Sequence, residues 1–225
     1  MKPVLSFDLN GTLTDTSALN PIFMRYFGQA ERRHEWFAQL IELAMTCAAT
    51  AEYIPFGKLA DAALRMLAIR HQAVLTAADV AEFMEAVRSL PVFPDVPAGL
   101  DDLRAAGFRT VVLTNSARAT GEYTLQRAGV LKKFERVLSV EMMQCYKPLP
   151  QVYHFAAREL GIEPRDMMMV AAHNWDTTGA IRAGCHAAFL TRPGEVLAAT
   201  DPRPEIIATD LIDLAGKLQP THAST

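Results

Sequence analysis

Cysteine is scarce. Cys47, Cys145 and Cys185 are the only three in 225 residues, an odd number, far apart and without the paired spacing of a metal site. A disulfide framework and a zinc finger are thereby excluded, and buried free thiols in a reducing compartment are expected. Long apolar runs are also missing: none approaches the ~20 residues that cross a bilayer. Met1-Lys2-Pro3 leads directly into an apolar segment with no room for a signal peptide, so a cytoplasmic location is expected. Nor is there an excess of basic charge. Lys and Arg number 22 against 25 Asp and Glu, a net charge of −3, which gives no electrostatic reason to expect nucleic acid or a membrane as partner. No internal repeat or low-complexity segment is present. The chain is 50% hydrophobic and 21% charged, and long enough for one packed domain or a core with a smaller insertion.

Two regimes divide it. Val4-Leu5-Ser6-Phe7 reads as a short buried strand. From about Asp15 to Leu90 the pattern is then helical, rich in Ala, Leu, Met and Phe. Trp36, Phe37, Leu40, Ile41, Leu43 and Ala44 mark one helix with a broad apolar face, and Leu59, Ala62, Ala63, Met66 and Leu67 a second. Thr76 caps a third that runs through Val80, Phe83, Met84 and Val87. After Pro97 helices and strands alternate: helix 98–106, strand 110–113, helix 121–128, strand 136–139, helix 152–160, strand 167–170, helix 178–183 and strand 187–190. Each helix stops at a glycine, as a left-handed C-terminal position prefers. Alternation of this kind predicts an α/β fold, a Rossmann-like parallel sheet covered by helices on both faces. Because the first strand precedes the helical stretch and its partners follow it, the core is discontinuous, residues 1–14 and 94–220, with an inserted helical cap over 15–93. The tail from Thr221 is read as frayed.

Four short segments follow predicted strands and would share one sheet edge: Asp8–Thr12, Thr114–Ser116, Tyr146–Pro148 and Ala171–Asp176. Asp8 stands at a strand end before the sharp turn at Gly11, where a carboxylate can act as a nucleophile. Thr12 is placed to bond its side chain or to cap the next helix. Lys147 can hold two nearby carboxylates ionised. At ~4 Å and an effective dielectric near 20 their repulsion is about 4 kcal/mol, enough to raise one acid by roughly three pKa units.

Phe7-Asp8-Leu9-Asn10-Gly11-Thr12-Leu13, with the three later segments in order, resembles the motif set of the haloacid dehalogenase superfamily. That resemblance implies that Asp8 is the nucleophile. Most members are phosphatases with a second Asp two residues on, as acid and base; here that residue is Asn10, which cannot shuttle a proton. Phosphatases of the family also read Val-Gly-Asp-Ser-x-x-Asp in the fourth segment to help bind magnesium. Here Val170-Ala171-Ala172-His173-Asn174-Trp175-Asp176 puts Ala172 at the first of those acids. A site lacking both is poorly equipped for phosphate chemistry and for magnesium, which wants several carboxylate oxygens.

The Trp-Asp pair, with Gly179 three residues beyond, resembles the L-2-haloacid dehalogenases of that superfamily. The resemblance then implies hydrolytic, metal-independent dehalogenation of small (S)-2-haloacids through an ester on Asp8, with no cofactor. By position Lys147 is the motif lysine and Asp176 helps activate the water. Trp175 walls the pocket, Asn115 donates to the halide, and Thr114 and Asn10 line the carboxylate side. Tyr153 matches a pocket tyrosine. His173 falls where some members have Asn, and reads equally as a supporting group. An arginine from the cap is expected to reach the halide or carboxylate, with Arg32 and Arg33 as candidates. A magnesium-dependent phosphatase and a silent binding relative remain the alternatives, and a homodimer stays open.

Overall fold

The computed structural model describes residues 2–219, so the tail read as frayed lies outside the described residues. Six strands form one sheet: β1 (Val4–Phe7), β2 (Thr110–Thr114), β3 (Val137–Ser139), β4 (Met167–Ala171), β5 (His186–Leu190) and β6 (Ile206–Ala208). Every pairing is parallel and the order is β3-β2-β1-β4-β5-β6. The order runs one way from β1 through β2 to β3 and the other way through β4, so the switch point lies at the end of β1, where open α/β sheets bind ligands.

Strand residues alternate between two apolar layers, as the two-residue pleat requires. Leu5, Phe7, Val112, Met168 and Val170 face one layer, with α5 (Val96–Ala105) and α9 (Leu211–Leu218) packed over it. Val4, Val111, Leu113, Met167 and Met169 face the other, against α7 (Pro150–Leu160). The central strands are buried throughout, which is why they read as unbroken apolar runs rather than alternating ones. The remaining core helices are α6 (Arg118–Arg127) and α8 (Asn174–Arg182). Glycines at the predicted helix ends do adopt the left-handed backbone, with φ of 67° at Gly161 and 84° at Gly184.

Between β1 and β2 lie α1 (Asn20–Phe27), α2 (Arg32–Thr50), α3 (Phe56–Arg70) and α4 (Ala77–Arg88). The expected cap at Thr76 is a full capping box with Asp79. Trp36 is buried, and its indole N–H donates to the Ala60 carbonyl at 3.1 Å, tying α2 to α3. Three elements escaped the sequence reading: α1, β6 and α9. Helix α9 carries a signal in Leu211, Leu214 and Ala215 at helical spacing, whereas β6 is too short to show a period. Four predicted helices start earlier than expected. For α8 the difference matters, because Asn174–Asp176 form its first turn rather than a loop, and the positive end of the helix dipole favours a carboxylate at Asp176.

Candidate active site

The site grows from the end of β1. The Asp8 backbone N–H donates to the Val170 carbonyl of β4 at 3.0 Å, fixing the residue at the switch point. The chain then turns tightly, with Leu13 and Thr14 both donating to the Leu9 carbonyl, and Gly11 takes φ 79°. A side chain at Gly11 would be strained, and its Cβ would come 3.0 Å from His173 Nε2.

Two side chains hydrogen-bond the Asp8 carboxylate. Thr12 Oγ1 donates to Oδ2 at 2.7 Å, and Lys147 Nζ to Oδ1 at 2.9 Å. The same ammonium donates to Asp176 Oδ2 at 2.6 Å and to the Leu113 carbonyl at 3.0 Å, so all three of its protons are used. Tyr153 donates to Asp176 Oδ1 at 2.7 Å. Burial pushes the Asp8 carboxyl up, but Lys147 and His173 outweigh it and hold the acid below the usual carboxylate range. Asp176 is instead raised, because burial and the Asp8 charge exceed what Lys147 returns. Burial works against the Lys147 charge as well, yet the two carboxylates keep its pKa above that of an ordinary lysine.

His173 stands beside this group. Its Nε2 lies 2.9 Å from the Asn10 carbonyl and 3.8 Å from Asp8 Oδ2, and its Nδ1 lies 3.3 Å from Glu195 Oε2. The ring is stacked on Trp175 at 5.3 Å and tilted against Phe37 of α2 at 5.1 Å. Burial lowers the pKa of the imidazole, but Glu195 and Asp8 raise it further, and the net direction is up.

The predicted residues therefore converge, though not all in the expected roles. Thr114, Tyr153 and Asp176 are fully buried and line neither of the two cavities beside the site. The Thr114 hydroxyl accepts from the Ser116 N–H, and Tyr153 and Asp176 brace Lys147 from behind. Both Asp176 oxygens are bonded, one by Lys147 and the other by Tyr153, because the first turn of α8 carries the side chain inward. Asn115 accepts from the Lys147 backbone N–H at 3.1 Å, while Asn10 donates to Ser116 Oγ at 2.9 Å. Arg32 pairs with Glu35 at 2.8 Å and borders neither cavity of the site. Arg33 does border one. It donates to Thr16 and Asn20, and among the described residues no carboxylate bonds it.

Glu195 and Arg192 were not anticipated. Arg192 grips Asp95 with two bonds, at 2.7 and 2.9 Å, and donates to the Thr12 carbonyl at 3.0 Å, clamping the turn that carries the nucleophile. Both lie in the segment after β5, so the strand-end rule that exposed the other four segments would have exposed this one.

Two cavities flank the site and share Thr16 and Phe37. The first, of about 790 Å³, is lined by Asp15, Arg33, Glu42, His173, Arg192 and Glu195 together with apolar residues of α2. The second, of about 630 Å³, has Asn10 and Ser116 on its wall under apolar residues of α2, α3 and α4. Among the described residues, no three His, Cys, Asp or Glu side chains are grouped as a metal centre would need. Ala172, at the position of a magnesium-binding acid in the resembling phosphatases, is buried, and its N–H donates to Thr12 Oγ1 at 3.0 Å.

A parallel sheet of this order, with an aspartate at the end of β1 and a lysine bridging it to a second aspartate, is the framework of one hydrolase group. Residues 3–184 match the haloacid dehalogenase-like hydrolase family, and the chain belongs to it. Among its relatives is an (S)-2-haloacid dehalogenase of Pseudomonas sp. (strain YL), 28% identical over 210 residues, covering 92% of this chain and 90% of the relative. A haloacetate dehalogenase H-2 of Moraxella sp. (strain B) is 27% identical over 192 residues, 84% of this chain and 86% of the other. The fold is shared with the L-2-haloacid dehalogenase of Xanthobacter autotrophicus, solved with chloropropionic acid covalently bound. There the TM-score is 0.91 at 21% identity, with 98% of this chain and 100% of the other covered. Among the described residues no helix is long and apolar enough to cross a membrane.

Proposed function

We propose that the protein is a carbon–halide hydrolase that converts (S)-2-haloacids to (R)-2-hydroxyacids. The observation that carries this reading is an aspartate kept ionised by Lys147 at 2.9 Å, beside Asn10 and Ala172 where phosphate chemistry would need acids. One oxygen of Asp8 attacks C2 of the substrate from the side opposite the halogen. The C–O bond forms as the C–X bond breaks, and the halide leaves with the electron pair and needs no proton. Water, activated with the help of Asp176, then attacks the Asp8 carbonyl carbon of the ester; the hydroxyacid leaves with inverted C2, its oxygen taking one proton of the water while the other is released as Asp8 returns to the carboxylate. Splitting one displacement into two is the gain of a covalent intermediate. Trp175, Asn10 and Asn115 face the substrate, Arg33 rather than Arg32 supplies the cap cation for its carboxylate or the halide, and Thr12 and Lys147 position Asp8. Residues 15–93 serve as a cap over the core of 1–14 and 94–220. No metal or organic cofactor takes part in this scheme.

In H₂¹⁸O under single turnover, mass spectrometry of the Asp8 peptide should show the label in that residue before it appears in product. Label entering the hydroxyacid directly on the first turnover, or activity confined to phosphate esters and abolished by chelator, would falsify the assignment.

The His173–Glu195 pair adds a pH signature. The imidazolium beside Asp8 helps to hold that carboxyl ionised, so turnover falls as pH rises through the His173 pKa, and a raised pKa sets that basic limb above the ordinary value of ~6.5. Removing the Glu195 charge takes away a contribution that holds the pKa up. In Glu195→Gln the basic limb of the kcat–pH profile is therefore expected at lower pH than in wild type. An unchanged profile would assign the limb to another group.

A further inference from the structure

We propose that the substrate side chain is a medium-length apolar tail, of butyl to hexyl size, seated in the second cavity; the inference rests on the dehalogenase reading above and narrows its substrate class. That cavity measures about 630 Å³, within the range of roughly 300–1,000 Å³ that accommodates whole drug-sized ligands. A haloacetate would leave most of it unfilled. Its wall is mainly apolar, with Trp36, Leu40, Phe56, Val80, Met84 and Leu90 contributed by α2, α3, α4 and the residues just beyond.

The cavity reaches the turn that carries the nucleophile. Asn10 and Ser116, hydrogen-bonded to each other at 2.9 Å, form its polar edge, and Asn10 is two residues beyond Asp8. Arg33, His173 and Glu195 lie on the other side of Phe37, in the first cavity. The two chambers thus divide as a 2-haloacid divides, with a carboxylate and attacking water on one side and an alkyl chain on the other. A second anionic group on the tail has no attraction here: the charged residues on the cavity wall, Lys58, Asp61, Glu85 and Arg88, are two of each sign, and Arg88 is already paired with Glu85.

The test is a chain-length series with the wild-type protein, from (S)-2-bromopropionate through (S)-2-bromohexanoate to (S)-2-bromooctanoate. If each buried methylene strengthens transition-state binding about 4-fold, kcat/KM for the hexanoate exceeds that for the propionate by tens-fold. Met84→Trp fills the cavity and should lower the hexanoate-to-propionate ratio at least about tenfold. Propionate turned over as well as or better than hexanoate overturns the inference and leaves the dehalogenase reading standing. Failure to release bromide from any member of the series overturns both.

Discussion

Lys147→Met is expected to lose activity by at least about a thousandfold and to destabilise the fold by about 3–5 kcal/mol at neutral pH, the range for removing one partner from a buried ionic group. The side chain is fully buried and its ammonium serves Asp8, Asp176 and the Leu113 carbonyl together. Without it two buried carboxylates face each other, and one takes up a proton. Asp8, now desolvated without its cation, ceases to be a nucleophile. The pH dependence has a definite sign. In the wild type the folded pKa of Asp8 is depressed, so its stabilising contribution is present above the unfolded value near 4 and is lost as pH falls through the folded pKa. The Lys147 pKa is raised, so its contribution is present below the unfolded value near 10.4 and is lost as pH rises through the folded pKa. The deficit of the variant should thus be widest between those limits and should narrow below pH ~4, where both acids can be neutral in either state. Urea titrations across pH and a halide-release assay measure the two effects. Near-wild-type turnover in Lys147→Met would show that Asp8 does not depend on that cation.

Gly179→Ala is expected to cost about 1–3 kcal/mol, the usual range for overpacking, and at least tenfold in kcat. A Cβ there would lie 2.6 Å from Pro148 Cβ, 2.6 Å from the Tyr153 hydroxyl and 2.7 Å from the Pro148 carbonyl oxygen. Helix α8 would have to move away from the segment that carries Lys147. Asp176, in the first turn of α8, would move with it and loosen its bonds to Lys147 and Tyr153. Gly216→Ala is the matched control: this exposed position in α9 has nothing within 4 Å of the added carbon, and a gain of up to about 1 kcal/mol is expected from helix propensity. Thermal melts and turnover of both variants test the argument. A Gly179→Ala protein with unaltered kcat would separate the α8 contact from the chemistry.

The alternation of helices with buried strands, the glycine stops and the Thr76 cap were all readable, because each depends on neighbours a few residues away. The strand-end rule then located Asp8, Lys147 and His173 near one another. What local pattern does not carry is the direction of a side chain at a helix start. Asp176 points inward to Lys147, because α8 begins at Asn174. Arg32 and Arg33 are adjacent and chemically alike, and only the packing of α2 sends one to Glu35 and the other to the cavity. Glu195 lies far along the chain from Asp8, and its contact with His173 exists only because the segment after β5 returns over the sheet edge.

By itself, then, the chain determined that a parallel sheet would form, that an aspartate would stand where its strand order reverses, and that acids needed for magnesium and for proton shuttling were missing. The tertiary structure decided how the two carboxylates share one lysine, which of two adjacent arginines borders a cavity, and how two cavities come to flank the turn that carries the nucleophile. The difference is physical: residue type and short-range periodicity set what each segment becomes, whereas exposure, charge pairing and cavity shape belong to no segment and arise only where several pack together.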